Sequence, residues 1–173
     1  MHKKSGPSPT LTSLPFYRRP NTILLQTQFF PFKYAIKMKP IVLAMIICDH
    51  YYRDVNTGKS VISGTFSTIS SASFPSNHGN CAVYIALTDV ASTGEAQLEF
   101  RKEGGGFSMQ LPPWSVGTPD NRRAVVEIGG NINGLPLPQQ GDYEFVLKWN
   151  GQEIAQRHLN AFKMNVEPPR PKE

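Results

Sequence analysis

The feature that most constrains this fold is an apolar alternation that runs into an Asn-Gly pair. Every second residue from Tyr143 to Trp149 is aromatic or aliphatic, and this period of two places those side chains on one face of a β-strand. Asn150-Gly151 follows, and this pair favours a type I′ turn because both central residues of that turn have a positive φ. Since residues 152–162 again favour a strand, the sequence predicts an antiparallel hairpin here.

Strand-like segments recur at short spacing through the rest of the chain after Pro40. No stretch of ten residues there has the apolar period of an amphipathic helix, and the 14 Gly and 15 Pro of the chain favour frequent turns. We therefore predict an all-β fold, a single antiparallel, immunoglobulin-like β-sandwich of seven to eight strands. The predicted strands cover 40–48, 60–69, 81–88, 96–102, 107–111, 123–132, 142–149 and 152–162.

Tyr143 adds a finer prediction. In immunoglobulin-like sandwiches, a Tyr near the start of the penultimate strand donates a hydrogen bond back to the preceding corner. Phe145 then stands where antibody domains have their second cysteine, so an apolar ring replaces the disulfide. The alternative is a Tyr that only packs on its strand.

Basic residues are concentrated before the predicted sandwich. Residues 1–39 contain seven Lys or Arg and no Asp or Glu. The rest of the chain contains the other 11 Lys or Arg and all 13 Asp or Glu. The body is therefore slightly acidic, which argues against nucleic-acid binding through the folded domain. Five prolines without apolar periodicity predict an irregular or disordered basic leader over 1–37, with Met38 as the natural start. The sandwich is predicted over 38–166 and a disordered tail over 167–173.

Two cysteines and one short apolar run bear on compartment and cofactors. Cys48 and Cys81 lie outside any CxxC motif or Cys/His cluster, so we expect buried thiols and no metal or cofactor. The alternative, in an exported protein, is a disulfide between them.

The apolar run at 40–48 is shorter than the ~20 residues that a membrane span needs. It predicts a buried strand, and without a cleavage site after it we expect a cytoplasmic protein.

Residues 57–60, Thr-Gly-Lys-Ser, end like a nucleotide-binding phosphate loop. Such a loop needs a Gly five residues before its Gly-Lys pair, and here that residue is Arg53. The residues after Ser60 favour a strand rather than the helix that would face a phosphate. The stretch therefore predicts the turn of a β-hairpin, with Gly58 at a positive φ.

Three residues are the candidates for binding: Trp114, His78 and Tyr52. Trp114 lies in a Pro-rich loop, where it either stacks on a ligand or closes one end of the core. His78 is expected in a polar loop; with Asp49 and Asp54 it outlines a metal or acid–base site, although a solvated His is the simpler interpretation. No catalytic residue is predicted, because no nucleophile motif is present.

Four segments carry a resemblance to a known family. They follow an opening apolar strand and are "D…RDVNTGKSVISGTFSTI" (49–69), "FPSNH" (74–78), "ALTD" (86–89) and "LPLPQQGDYEFVLKWNGQEIAQRHL" (135–159). Over residues 40 to about 166 the chain resembles a bacterial family of domains of unknown function. The resemblance implies a single β-sandwich and transfers no catalytic residues.

The leading functional prediction is a non-enzymatic β-sandwich that acts as a protein-interaction module in a bacterial cytoplasm. One alternative is a carbohydrate-binding or cell-surface-associated module, which would present exposed aromatics such as Trp114 with Tyr51 or Tyr52. The other is a metal-dependent enzyme, which requires the loop residues Asp49, Asp54 and His78 to converge in one pocket.

Overall fold

Ten β-strands form two sheets that face each other across one apolar layer. The protein is described by a computed structural model over residues 38–164, and no helix occurs in that range. The strands are β1 (Ile41–Arg53), β2 (Ser60–Thr65), β3 (Thr68–Ser71), β4 (Ser76–Thr88), β5 (Gly94–Lys102), β6 (Ser108–Gln110), β7 (Trp114–Val116), β8 (Val126–Leu137), β9 (Gly141–Trp149) and β10 (Gln152–Lys163). The predicted leader over 1–37 and the predicted tail over 167–173 lie outside the described residues.

The first sheet has four strands in the order β2-β1-β4-β8, and the second has the order β3-β10-β9-β5-β6, with β7 also paired to β5. Every pairing is antiparallel except that of β3 with β10. This arrangement confirms the predicted all-β sandwich. Among residues 38–164 no helix is long and apolar enough to cross a membrane.

The two strands beyond the predicted eight arise where one segment divides and where a loop was expected. The predicted strand over 60–69 is two strands, because β2 pairs with β1 in the first sheet and β3 pairs with β10 in the second. The chain crosses between the sheets in two residues: the Phe66 N–H donates to Ile47 O (3.2 Å) and Ser67 O accepts from the Asn160 N–H (3.0 Å). The other addition is β7, in the Pro-rich segment that holds Trp114.

The core is built from the inward faces of β4 and β9, the predicted alternations. Val83, Ile85 and Leu87 on β4 are fully buried, and they pack in the same cluster as Phe145 and Leu147 on β9. The outward side chains of β4 are buried as well: Ala82, Tyr84 and Ala86. This confirms that β4 is a central strand with two apolar faces, so its outer face also needs a cover.

The predicted tyrosine corner is present. The Tyr143 hydroxyl donates to Gln139 O (2.7 Å) and accepts from the Gln139 N–H (3.2 Å), while its ring is fully buried. Asn150 and Gly151 have φ values of +47° and +80°, so the predicted hairpin turn between β9 and β10 is confirmed as well.

The phosphate-loop-like stretch is also a turn, as predicted. It joins β1 to β2, with the Gly58 N–H donating to Asp54 O and Gly58 at φ +67°. The Asp54 carboxylate accepts from the N–H (2.7 Å) and hydroxyl (2.8 Å) of Thr57. These bonds lower the pKa of Asp54, the backbone bond from Thr57 most of all. They account for the residue types of the turn without a nucleotide.

One edge of β1 is closed by a side chain from the other sheet. Between Ile41 and Ile46, β1 pairs with β4 on one side and, within residues 38–164, with no strand on the other. The Arg157 guanidinium on β10 reaches across, and its Nε donates to Met45 O (2.7 Å). An apolar edge strand without a charge of its own is therefore capped by a cation.

Both cysteines are buried free thiols, which confirms their predicted burial. Burial raises the pKa of Cys81 to about 12, with a smaller contribution from Cys48, and burial likewise raises the pKa of Cys48. We predict that the native protein does not react with a thiol reagent such as DTNB at neutral pH and that both thiols react after denaturation. Rapid modification of either thiol in the native state would contradict the buried placement.

The tyrosine corner gives a second prediction. Tyr143→Phe leaves the ring in place and removes both bonds to Gln139, so we expect a loss of about 1–3 kcal/mol in the free energy of unfolding. Urea denaturation measures this loss. Tyr52→Phe is the matched control, because the Tyr52 side chain is 54% exposed; an equal effect of both changes would argue against the corner.

Candidate functional site

The end of β1 leaves the first sheet and bends across its outer face. β1 pairs with β4 only as far as Cys48, then continues to Arg53 paired with β2 alone. In the sheet, β4 separates β1 from β8. Nevertheless, Arg53 contacts Glu127 and Tyr51 contacts Asn131, both on β8. Residues 49–64 therefore form an overhanging hairpin that passes over β4.

Glu127 is the anchor of the overhanging hairpin. Its carboxylate accepts from the Tyr84 hydroxyl (2.6 Å), from Ser60 Oγ (3.0 Å) and from Arg53 Nη2 (3.1 Å). The first donor belongs to the sheet and the other two belong to the hairpin, so one carboxylate connects the two. The hydrogen bond from Tyr84 is the largest cause of the lowered pKa of Glu127. Burial, followed by the bond to Glu127, raises the pKa of Tyr84 to about 12.

Gly129 allows the hairpin to approach closely. A Cβ at this position would lie 2.7 Å from the Tyr51 ring and 2.8 Å from Val83 O. The Tyr51 ring thus rests directly on the backbone of β8, and its centroid is 5.6 Å from that of Tyr84. The Gly therefore provides the space in which the hairpin covers the outer face of β4.

Asn131 binds the backbone of the overhanging hairpin. Its Oδ1 accepts from the Tyr51 N–H (3.3 Å), and its Nδ2 donates to Tyr51 O (3.0 Å). A hydrogen-bonded residue pair in an antiparallel sheet exchanges the same two bonds. The carboxamide therefore acts on β1 as a residue of a neighbouring antiparallel strand would.

A groove of about 850 Å³ lies between the overhanging hairpin and the sheet. Its hairpin side is formed by residues 49–52 and 61–63, and its sheet side by Asn80, Cys81, Asn131 and Asn133. We call this the amide groove. Asn80 and Asn133 are cross-strand partners on β4 and β8, and their side chains make no hydrogen bond within residues 38–164.

The structure brings only some of the predicted site residues into this groove. Tyr52 and Asp49 line it, while Asp54 holds the turn at the far end of the hairpin. Trp114 lies half-buried on β7, packs against the core and contacts Gly130 of β8. This placement matches the end of a core rather than a wall of the groove.

His78 is not in a solvated loop, and that prediction is wrong. β4 begins at Ser76, so His78 lies in a strand opposite Leu135. Its ring meets that of Phe66 edge-on at 5.3 Å, and its Nε2 is buried without a hydrogen-bond partner in the described chain. Asp49, Asp54 and His78 thus have different surroundings.

The residues that sequence reasoning missed are Asn80, Asn131 and Asn133. A signal for two of them exists, since Asn131 and Asn133 are two residues apart and so share the outer face of β8. The alternation of side chains along β8 predicts only that both asparagines face outward. It does not predict that β1 passes above them.

Glu103, Glu144 and His158 form a group of potential metal-ligating side chains on the second sheet, with their ligand atoms within 4.8 Å of one another. These groups already have partners, because Glu103 pairs with His158 (2.5 Å) and Glu144 with Arg101 (2.7 Å). Arg101 also binds Glu153 (2.9 Å). The group is accounted for by a hydrogen bond between Glu103 and His158 and by the ion pairs of Arg101.

The role of Glu127 gives a prediction on local stability. Glu127→Gln removes the charge that three donors share, so we expect the amides of residues 49–64 to open at a free energy about 1–3 kcal/mol lower. Hydrogen exchange followed by mass spectrometry measures this opening. Glu95→Gln is the control, because Glu95 is exposed on β5. Unchanged hydrogen exchange in Glu127→Gln would show that Glu127 does not anchor the overhanging hairpin.

The pH dependence of the same contact has a definite sign. The pKa of Glu127 is lowered, so its stabilisation is complete above the ordinary pKa of a Glu and is lost as pH falls through the lowered value. The pKa of Tyr84 is raised, so its contribution is complete below about pH 10 and is lost as pH rises towards about 12. We expect exchange of residues 49–64, corrected for the intrinsic rate, to increase at both extremes. In Glu127→Gln the acid limb should shrink to the part that Asp54 contributes, since the pKa of Asp54 is lowered as well; an acid limb of unchanged size would assign it to other carboxylates.

Comparison with known proteins places the chain in a family without a known role. Residues 43–162 match the model of a family of unknown function (DUF6941). No curated protein matches the chain.

Among solved structures, the sensor domain of the anti-sigma factor RsgI4 in Pseudobacteroides cellulosolvens is similar with a TM-score of 0.38 and 9% identity, over 59% of this chain and 94% of that one. The alkylpurine DNA glycosylase AlkC of Pseudomonas fluorescens, bound to DNA containing an abasic site analogue, has a TM-score of 0.37 and 12% identity, over 68% of this chain and 30% of that one. Neither likeness is close enough to carry an argument about function. Because the family match covers well over half of the chain, the protein belongs to the family of unknown function DUF6941.

Proposed function

We propose that the domain is a non-enzymatic interaction module that binds protein through the amide groove. The observation that carries the proposal is the pair of exposed carboxamides, Asn80 and Asn133, which face the groove without a hydrogen-bond partner in the described residues. A carboxamide has two donors and an acceptor, so it complements peptide groups. Asn131 already makes this type of contact with Tyr51.

The lining of the groove supports a polar polymer rather than an apolar small molecule. Pockets for drug-sized ligands and cofactors are mostly apolar, with a few polar groups that fix orientation. Here carboxamides, Asp49 and Ser63 lie beside two tyrosine rings and the aliphatic side chains of Val61 and Ile62, so polar groups occur throughout the lining. A polymer with regularly spaced donors and acceptors matches this surface.

The placement of Cys81 supports a binding role rather than catalysis. Cys81 is among the residues that border the groove, but its side chain is buried in the core, and a thiolate is the reactive form of cysteine. Burial raises the pKa of this thiol to about 12, so it is protonated at neutral pH. A nucleophile in this position would need the opposite shift.

A carbohydrate-binding role is the second candidate, and one observation favours it. Tyr52 is 54% exposed beside the carboxamides, so its ring is available to stack on a sugar. The peptide hypothesis ranks first because the Asn131–Tyr51 contact is a demonstrated case of carboxamide-to-backbone recognition. We also propose a bacterial cytoplasmic setting and an immunoglobulin-like arrangement; the tyrosine corner supports the latter.

Affinity capture tests the proposed function. The full chain is immobilised as wild type, as Asn133→Arg, which fills the groove, and as Asn56→Arg, which adds the same charge in the exposed β1–β2 turn. Proteins captured from a native-host lysate are identified by mass spectrometry. We expect a set of proteins that wild type and Asn56→Arg retain and that Asn133→Arg loses by about tenfold or more. Equal capture by all three would exclude the amide groove as the interface.

A further inference from the structure

We infer that the amide groove receives an extended polypeptide segment as an added β-strand, whose backbone replaces the Asn131 carboxamide on Tyr51. This inference rests on the proposed protein-binding function and specifies the partner's conformation. The occupant is an unfolded or loop segment of another protein, bound by main-chain pairing of the type that other sheet edges use.

The first step is the free edge of β1. On one side, residues 50–53 pair with β2, as in Tyr52 with Val61. On the other side, β4 no longer pairs with β1 beyond Cys48. The N–H and C=O of Tyr51 therefore face away from β2 and are bound by a side chain instead of a strand. Strand edges with available N–H and C=O groups are templates for pairing with another chain.

The second step is that the carboxamide can be displaced. Only one of its two bonds to Tyr51 has an ordinary length: the bond to Tyr51 O is 3.0 Å, whereas the bond from the Tyr51 N–H is 3.3 Å, beyond the 2.7–3.2 Å that is usual for N–H···O bonds. Asn131 is exposed, and it borders the groove together with Tyr51. A residue of an incoming antiparallel strand would restore both bonds to Tyr51 through its own C=O and N–H, and it would release the carboxamide to water or to the ligand.

The third step concerns what would hold the added strand from the sheet side. Asn133 lies two residues along β8 from Asn131 and on the same face, and Asn80 is its cross-strand partner. Both carboxamides border the groove, so their NH2 groups can donate to carbonyl oxygens of the segment that do not pair with β1, which N-methylation of the segment leaves in place. Asp49 adds a carboxylate to the same lining, which favours a segment that contains Lys or Arg.

The experiment uses a phage-displayed library of random twelve-residue peptides, selected on the full chain. The most strongly selected peptide is synthesised, and its Kd is measured by isothermal titration calorimetry. Each backbone amide of the peptide is then N-methylated in turn. Because alternate amides of a strand face its partner, we expect N-methylation to weaken binding about tenfold or more at every second position and much less between them.

Variants of the protein give an independent measurement. Asn131→Ala removes the competing carboxamide, so we expect it to bind the peptide about fivefold more tightly. Asn133→Ala should bind about tenfold more weakly, and Asn56→Ala, outside the groove, should be unchanged. The N-methyl scan on the wild type does not depend on how these variants fold.

The outcomes separate the inference from the proposed function. A scan without a period of two, combined with a loss of affinity in Asn133→Ala, would overturn strand addition and retain protein binding in the groove. Failure to enrich any peptide, together with Asn133-dependent binding on an oligosaccharide array, would overturn both and favour the carbohydrate alternative. A period-two scan with tighter binding by Asn131→Ala would establish the inference.

Discussion

The hydrogen bond between the Tyr84 hydroxyl and Glu127 is the interaction on which the arrangement of the first sheet depends. β4 is a strand with apolar residues on both faces. One of its outward side chains is Tyr84, of which only 9% is exposed. A buried tyrosine hydroxyl needs a partner, and Glu127 on β8 supplies it at 2.6 Å. The same carboxylate then attracts Arg53 and Ser60, which brings the overhanging hairpin down onto the sheet.

The amide groove is a consequence of this cover. Because β1 must cross over β4 to reach Glu127, it cannot remain paired with β4, and a gap opens beyond Cys48. Asn131 binds the backbone of β1 on one side of that gap. On the other side, the carboxamides of Asn80 and Asn133 have no hydrogen-bond partner in the part of the chain that the structure describes. Covering a central strand and creating a binding surface are thus two results of the same departure from regular pairing.

Much of the fold follows from local sequence, because strand alternation and turn chemistry are local properties. The run from Tyr143 to Trp149, the Asn-Gly turn and the tyrosine corner were all predicted from neighbouring residues. The division of 60–69 was not, because it depends on which strands its two halves meet in space. His78 was misplaced for a related reason: its polar neighbours suggest a loop, whereas pairing with β8 extends β4 to Ser76.

The candidate site was predictable only in part. Tyr52 and Asp49 were identified because they belong to an unusual aromatic and acidic segment, and both line the groove. Asn131 was missed because its role comes from the hairpin above it. The alternation of side chains along a sequence does not predict that a strand bends out of its own sheet. Aromatic candidates such as Trp114 were easier to notice, yet Trp114 packs at the core.

The Arg157 cap on β1 has a consequence for biosynthesis. β1 is among the first strands of the sandwich to leave the ribosome, and β10, which carries Arg157, is the last. During that interval the apolar edge from Ile41 to Ile46 has no cation over it, and such an edge is a template for intermolecular pairing. Nascent chains truncated before Arg157 would therefore be the species most in need of a chaperone, although they already contain nine of the ten strands.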